Sequence, residues 1–194
     1  MKATDDTRGR VNSTTDDALM LQVRDGDVGQ LGVLFERHHV PLYNFFLRLT
    51  GSAGLSEDLV QEVFLRMMRY RHTYRGQGQF TVWMYQIARN ARTDHYRKWR
   101  RETPMPEDGM DIPDQAPGAC ERIEKDQAAK LVHAALGKLP DDKRELLLLA
   151  RFQEMRYDEI AQLLECSVGT VKVRIHRAMK ELRTHYQRAA KDRV

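Results

Sequence analysis

Residues 157–178 read YDEIAQLLECSVGTVKVRIHRA, and the spacing of their apolar side chains predicts how the C-terminal part of the chain folds. Its first eight residues place Ile160, Ala161 and Leu164 on one face of a helix. After a short turn, apolar residues recur at i, i+4, i+7 and i+11, at Val171, Ile175, Ala178 and Leu182. The small Ala161 lets a second helix cross closely. The spacing therefore predicts a helix-turn-helix.

The other face of the second helix is polar and basic. Arginine can pair bidentately with guanine and lysine can meet phosphate, so such a face suits the major groove of DNA. The alternative is a solvated basic face on a packing helix, but the preceding Ala-x-x-Leu helix and short turn favour DNA binding. The outward residues, with the serine that precedes the helix, are Ser167, Thr170, Lys172, Val173, Arg174, His176, Arg177 and Lys180.

The charges of the 194 residues are unevenly distributed, although the net charge is only +4. Residues 89–101 carry six basic groups and one acidic group, and residues 172–194 carry eight basic groups and two acidic groups. Between them, residues 102–119 hold five acidic groups, no basic group and four of the six prolines. This composition predicts an extended linker over 102–119. It separates an N-terminal domain over 15–101, preceded by a tail over 1–14, from a C-terminal domain over 120–194.

Nearly every periodic segment has helical spacing, so we expect an all-α fold of two small helical domains. In the N-terminal domain we predict helices over 16–25, 28–50, 56–71 and 81–101. Thr15, Ser56 and Thr81 are the expected caps, Gly51 is the expected end of the second helix, and Pro41 should kink or split that helix. In the C-terminal domain we predict helices over 121–136, 141–153, 157–164 and 168–186.

Composition also excludes several classes of protein. The longest apolar run, Leu146 to Ala150, is far shorter than the roughly 20 residues of a membrane span. The first 15 residues lack the apolar stretch of a secretion signal, so we expect a cytoplasmic protein without membrane insertion. Cys120 and Cys166 form no metal-binding pair, and His38 with His39 lacks a third ligand at metal spacing. We expect no metal, no cofactor and no catalytic residues.

The predicted helix over 81–101 combines aromatic and basic side chains. Unpaired bases stack on aromatic rings while phosphates meet Arg and Lys, so this pattern is typical of single-stranded nucleic acid binding. The competing interpretation is core packing, which we favour for Trp83 because it lies on the apolar stripe. For Tyr96 and Trp99, within the basic half, we expect an exposed or half-exposed position.

Three separated blocks of the chain resemble the bacterial RNA polymerase sigma factors, specifically the small two-domain extracytoplasmic-function group. The blocks are SEDLVQEVFLR at 56–66, YRGQGQFTVWMYQIARN at 74–90 with DHYRK at 94–98, and LP at 139–140 followed by YDEIA at 157–161 and GTVKVRIHRA at 169–178. The resemblance covers residues 17–183. It departs from the family at Val173, where Ser is frequent, and at Glu165, where Gly is frequent.

The resemblance implies a subunit that binds core RNA polymerase through its β′ clamp and β subunits, recognises two promoter elements and promotes strand opening. Asp58, Gln61, Glu62 and Phe64 resemble the surface that grips the β′ coiled coil, although these residues alone would indicate only a soluble helix face. The residues implied in holding the minus-ten element as single-stranded DNA, with one base flipped out, are Arg75, Gln77, Gln79, Phe80, Asn90, Tyr96, Arg97, Lys98, Trp99 and Arg101.

The basic helix of the C-terminal domain would read the minus-thirty-five element as duplex DNA. The acidic linker resembles a segment that enters the polymerase channel, and the alternative is that it stays solvated. The resemblance also implies regulation by an anti-sigma factor. The competing hypothesis for the whole chain is a helix-turn-helix regulator that binds duplex DNA without polymerase. A nucleic-acid enzyme is disfavoured, because no arrangement of catalytic residues occurs in a plausible site.

Overall fold

The computed structural model describes residues 14–77, 80–102 and 127–191. These residues form helices and connecting turns without a strand, which confirms the prediction of an all-α fold. The helices are α1 (Asp16–Arg24), α2 (Gln30–Thr50), α3 (Ala53–Tyr70), α4 (Phe80–Glu102), α5 (Gln127–Gly137), α6 (Asp141–Arg151), α7 (Tyr157–Leu163) and α8 (Val168–Lys191). A 3₁₀ turn, Arg71–Thr73, follows α3. Within the described ranges, none of the helices combines the length and the hydropathy of a membrane-spanning segment.

Two predicted helix ends in the N-terminal half are confirmed. Thr15 caps α1, because its side-chain oxygen accepts a hydrogen bond from the backbone N–H of Ala18 at 3.3 Å. Gly51 ends α2 in the left-handed conformation, at a φ of 70°. Pro41 lies inside α2, which runs on as one element from Gln30 to Thr50, so of the two predicted alternatives, a kink or a split, the split does not occur.

Two predicted caps are also wrong. Ser52, not Ser56, caps α3 and accepts a hydrogen bond from the N–H of Leu55 at 3.3 Å. Ser56 lies one turn inside the helix, where its buried hydroxyl donates to the carbonyl of Ser52 at 2.6 Å. The helix α4 begins at Phe80, whose ring is buried, so Thr81 is already helical.

The C-terminal helices follow the predicted order with shifted ends. The described part of the first is Gln127–Gly137, and residues 121–126 of its prediction lie outside the described residues. The last helix extends to Lys191, five residues beyond the prediction. Half-buried Leu182, Tyr186 and Ala189 continue its apolar stripe. This spacing keeps α8 in contact with α5 and α6.

The turn of the helix-turn-helix ends α7 with a left-handed residue. Glu165 has a φ of 50°. Its N–H donates to the carbonyl of Gln162 at 3.3 Å, and the N–H of Cys166 donates to the carbonyl of Ala161 at 2.9 Å. This pair of hydrogen bonds is the Schellman motif, in which glycine is usual. Glu165 therefore occupies a backbone position that its side chain disfavours.

The two halves of the chain share one contiguous core. Buried side chains of α1 to α4 and of α5 to α8 belong to a single hydrophobic cluster. Helices α2 and α4 pack against α5, α6 and α7. The acidic linker predicted over 102–119 lies outside the described residues except for Glu102, which ends α4. In the described arrangement, the helix-turn-helix is therefore docked on the N-terminal half.

Candidate nucleic-acid interface

The outer face of α8 is an exposed basic surface. Its inner face buries Val171, Ile175 and Ala178 against the other helices of the C-terminal half. Ser167 accepts a hydrogen bond from the N–H of Thr170 at 3.1 Å, and the two hydroxyls are 2.9 Å apart, which fixes the start of the helix. The predicted contact residues that the structure leaves exposed on this surface are Ser167, Lys172, Val173, Arg174, His176, Arg177 and Lys180.

The cations of this surface have no acidic partner among the described residues. Lys172, Arg174, Arg177 and Lys180 form no ion pair there, whereas Lys143 of α6 pairs with Glu181 of α8 on the packed side of the helix. Val173 is 50% exposed between the cations, so its methyl groups can meet an apolar edge such as the thymine methyl. We define this outer face as the α8 surface.

The first half of α4 faces the other domain and does not belong to an open surface. Arg89 forms an ion pair with Glu145 of α6 at 3.0 Å and donates to the carbonyl of Leu163 at 3.3 Å, at the C-terminal end of α7. Arg92 lies 3.4 Å from Asp141 and 3.9 Å from Glu145. Two of the six cations in the basic block over 89–101 therefore hold the two domains together.

Further contacts extend this interdomain interface. Tyr85 donates a hydrogen bond to the side-chain carbonyl of Gln153 at 2.5 Å, and burial raises the pKa of its phenol. The guanidinium of Arg48 lies 4.7 Å from the centre of the Phe152 ring. Arg144 donates to the carbonyl of Leu49 at 3.0 Å. The interface thus combines polar and cation–π contacts with the shared core.

Beyond Arg92, α4 presents the rest of its cations to solvent, and Asn90 is exposed as well. Asn90, Arg97, Lys98, Trp99 and Arg101 are exposed, and Trp99 retains 39% of its accessible surface. Tyr96 is half-buried, as expected, beside the guanidinium of Arg92 at 5.9 Å from the ring centre. Burial raises the pKa of the Tyr96 phenol. We define the exposed residues Asn90, Arg97, Lys98, Trp99 and Arg101 as the α4 surface.

A polar cleft between α3 and α4 adjoins this surface. Arg66 donates to Glu62 at 2.6 Å and to Asp94 at 2.7 Å, which ties the two helices together. Burial alone would lower the pKa of Arg66, but the hydrogen bonds that it donates to both carboxylates, together with their negative charges, outweigh burial and raise it. Asn90 and Arg97 line the same cleft. The sequence did not single out Arg66, whose i, i+4 spacing from Glu62 was the available signal.

The loop before α4 contains both exposed and buried predicted contact residues. Arg75 and Gln77 are exposed, and Gln79 lies outside the described residues. Phe80 is only 2% exposed, with its ring centre 5.1 Å from that of His38 and 6.4 Å from that of Tyr74. The prediction that Phe80 contacts DNA is therefore corrected, because its ring fills the core beneath the loop.

The polymerase-binding residues predicted on α3 also divide by exposure. Asp58 and Gln61 are exposed, and Glu62 is half-exposed beside Arg66. Phe64 is only 7% exposed and meets the ring of Phe35 edge-on at 5.0 Å, so it supports the surface from below and does not form it. Sequence reasoning missed Leu65, which is 63% exposed. Its spacing of i+4 from Gln61 and i+7 from Asp58 could have found it.

The described residues contain no cluster of three or more His, Cys, Asp or Glu side chains suited to a metal ion. Cys166, in the turn before α8, is a half-buried free thiol. Chemically, then, the described surfaces offer cations, amides and aromatic rings, which suit the binding of nucleic acid and protein.

Comparisons with known proteins match both halves of the chain. The family described as Sigma-70 region 2 matches residues 34–102, and the family described as Sigma-70, region 4 matches residues 129–182. The ECF RNA polymerase sigma factor RpoE of Cereibacter sphaeroides is 33% identical over 171 residues, which cover 87% of this chain and 93% of that protein. The first matched region contains α4, and the second contains α8 as far as residue 182, including the α8 surface.

Solved structures show the same fold. The structure of CnrH in complex with the cytosolic domain of CnrY is similar with a TM-score of 0.65 at 25% identity, covering 87% of this chain and 95% of that one. RpoE from Bartonella quintana, solved with the anti-sigma factor NepR, is similar with a TM-score of 0.62 at 20% identity, covering 80% of this chain and 96% of that one. This chain therefore belongs to the ECF group of RNA polymerase sigma factors, and it directs promoter-specific initiation by core RNA polymerase.

Proposed function

We propose that three separate surfaces of this sigma factor divide its work. The α8 surface binds the minus-thirty-five element as duplex DNA, and the α4 surface with the loop 75–77 holds the minus-ten element as an opened strand. The exposed face of α3 around Asp58, Gln61 and Leu65 binds the β′ clamp of core polymerase. The chain acts as a specificity and melting subunit in the cytoplasm and is not itself an enzyme.

The observation that carries this proposal is the outer face of α8. Four cations line an exposed, capped helix whose opposite side is buried, and none of them is paired with a described carboxylate. An α-helix fits the major groove, where Arg174 or Arg177 can bind guanine and the lysines can bind phosphate. A helix that served only for packing would have no need of this row of unpaired cations.

The α4 surface supports binding of an opened strand. Trp99 and half-buried Tyr96 lie among Arg97, Lys98 and Arg101, so bases can stack while the backbone is neutralised. An extruded base costs a few kcal/mol of unstacking, and a protein site that receives it both stabilises the open state and reads sequence. This arrangement distinguishes the chain from a regulator that reads only duplex DNA.

The α3 face supports a protein partner. Leu65 exposes an apolar side chain next to Asp58 and Gln61, and apolar side chains rimmed by polar ones are typical of protein–protein contacts.

We also propose that a regulatory protein of the anti-sigma type binds the chain. CnrH, a protein of similar structure, was solved in complex with the cytosolic domain of CnrY, which supports a protein regulator.

The proposal is tested by selecting promoter DNA with purified chain and core polymerase together. Selection from fragments with two randomised blocks should enrich two separated sequence motifs. The selected fragments should then support transcript initiation. Arg174→Ala should weaken enrichment of the upstream motif only. Arg188→Ala, which removes an exposed cation farther along α8, serves as the matched control and should leave both motifs unchanged. Equal enrichment by the chain without polymerase would instead favour the duplex-binding regulator.

A further inference from the structure

One face of α1 lies against the loop that precedes α4. Asp17, Leu21 and Arg24 are spaced at i, i+4 and i+7, so they share this face. The hydroxyl of Tyr74 donates a hydrogen bond to Asp17, and Arg24 donates to the carbonyl of Tyr74 at 3.4 Å. Leu21 lies under the next turn of the loop, because a methyl group at Gly76 would be 3.4 Å from its Cδ1 and Cδ2.

The loop itself has an unusual backbone. Gly76 is buried with a φ of 80°, and the following Gln77 is exposed with a φ of 74°. A left-handed conformation costs a residue with a side chain roughly 1–2 kcal/mol. Strain of this kind persists only where the surrounding structure imposes it, and it is concentrated at functional sites.

Both flanks of the strained turn are anchored in the core. Tyr74 and Phe80 are each only 2% exposed, and the ring of Tyr74 lies 5.1 Å from that of Trp83. The helix α1 is itself fixed, since Asp16 accepts one hydrogen bond from Arg37 at 2.6 Å and lies 2.7 Å from the ring nitrogen Nε2 of His38. The loop is therefore held from beneath by α4 and from the side by α1.

We propose that α1 is a positioning element for promoter recognition: through Leu21, and through the contacts of Asp17 and Arg24 with Tyr74, it holds residues 74–77 so that Gln77 reads a base of the opened minus-ten strand. The glutamine amide carries a donor and an acceptor, so it can pair with the edge of an extruded base. The residues of α1 act through the loop and touch no DNA. This inference rests on the proposed function, because it requires that the loop meets the minus-ten element.

The test measures base preference with the full chain, core polymerase and promoter fragments whose minus-ten element is randomised. Gln77→Ala should reduce the preference at one position by about tenfold. Leu21→Ala should reduce the preference at that same position by a comparable factor. The double variant should lose no more than either single variant, because the leucine acts through the glutamine.

Two further variants separate positioning from stability. Leu55→Ala truncates another partly buried leucine of the same core, on α3, and should leave the minus-ten preference unchanged. Tyr74→Phe keeps the ring and removes only the hydrogen bond to Asp17, so it should fold and still weaken the preference at the Gln77 position severalfold.

The outcomes distinguish the inference from the proposal beneath it. If the wild-type chain enriches no minus-ten motif, the proposed function fails and the inference fails with it. If the wild-type chain enriches the motif but Leu21→Ala and Tyr74→Phe change no position by more than about twofold, only the inference is overturned. Losses that multiply in the double variant would also overturn it, because the two residues would then act independently.

Discussion

Arg89 and Arg174 lie on the two basic helices of this chain, yet their surroundings are opposite. Arg89 pairs with the buried carboxylate of Glu145 at 3.0 Å and with the end of α7, while Arg174 is exposed and has no acidic partner among the described residues. The first arginine joins two domains and the second is available to a ligand. Local charge density alone therefore does not identify a nucleic-acid surface, because the partners of each cation decide its role.

The largest expected effect is on the interdomain pair. The Glu145 side chain is 8% exposed and pairs with Arg89 at 3.0 Å and with Arg92 at 3.9 Å. Glu145→Ala therefore leaves Arg89 without its acidic partner among the described residues and Arg92 with Asp141 alone. We expect a loss of about 3 kcal/mol in the free energy of unfolding, measured by urea denaturation. Glu102→Ala, which removes an exposed pair with Lys98, is the control and should change it by less than about 0.5 kcal/mol. Equal effects of the two variants would remove the contrast between covered and open cations.

The next effect concerns DNA and separates the two arginines. Arg174→Ala should weaken binding to the duplex minus-thirty-five element by about 2 kcal/mol if the guanidinium meets a base edge, with unfolding unchanged. Arg89→Ala should lower the free energy of unfolding and leave the affinity for the duplex minus-thirty-five element unchanged. Fluorescence anisotropy with a labelled duplex and urea denaturation measure the two quantities. If either variant changed the duplex affinity and the free energy of unfolding by equal amounts, the two arginines would not have separate roles.

A third effect follows from two buried tyrosines, Tyr85 on α4 and Tyr74 in the loop that precedes α4. Burial raises the pKa of Tyr85 and of Tyr74, so both stay protonated in the folded chain above the pH near 10 at which an unfolded tyrosine ionises. The unfolded state then binds fewer protons, and stability falls as the pH rises. Each tyrosine should lower the free energy of unfolding by about 1 kcal/mol between pH 10 and 11, and by about 1.4 kcal/mol per pH unit above that range while it stays protonated in the folded chain.

Tyr85→Phe isolates this contribution. The variant should show a shallower decline of unfolding free energy with pH than the wild-type chain, although it starts from a lower value because Gln153 loses its partner. Parallel declines in the two proteins would show that Tyr85 ionises normally in the folded state.

The smallest effect lies in the turn that aims α8. Glu165 adopts a φ of 50° at the position of the Schellman motif where glycine is usual. Glu165→Gly relieves the left-handed strain but adds flexibility to the unfolded chain, so we expect a net gain of about 0.5 kcal/mol in unfolding free energy. A loss of stability on thermal denaturation would mean that the carboxylate has a role that its exposed position does not indicate.

The sequence predicted the helices and the helix-turn-helix well because both depend on local periodicity. The stripe Val171, Ile175 and Ala178 fixed the orientation of α8, and the basic face followed from it. Gly51 and Thr15 were also found from local signals. These features need only the spacing of side chains within one segment.

The misses involve contacts between segments far apart in the chain. Phe64 and Phe80 were placed on binding surfaces, but packing against Phe35 and His38 buries them. Arg89 was counted only as one of the six basic groups of residues 89–101, and its partner Glu145, 56 residues away in sequence, was not foreseen. Periodicity shows which residues share one face of a helix, but it does not show which distant part of the chain covers that face.

Strand opening at a selected promoter tests the role of the α4 surface without any intermediate step. Thymines of the minus-ten element should become reactive to permanganate when the chain and core polymerase are both present, and they should stay protected with the chain alone. Removing the α4 cations with Lys98→Ala and Arg101→Ala should reduce this reactivity, while Arg188→Ala should not. Full promoter occupancy by the wild-type complex without any reactive thymine would contradict the assignment of the α4 surface to the opened strand.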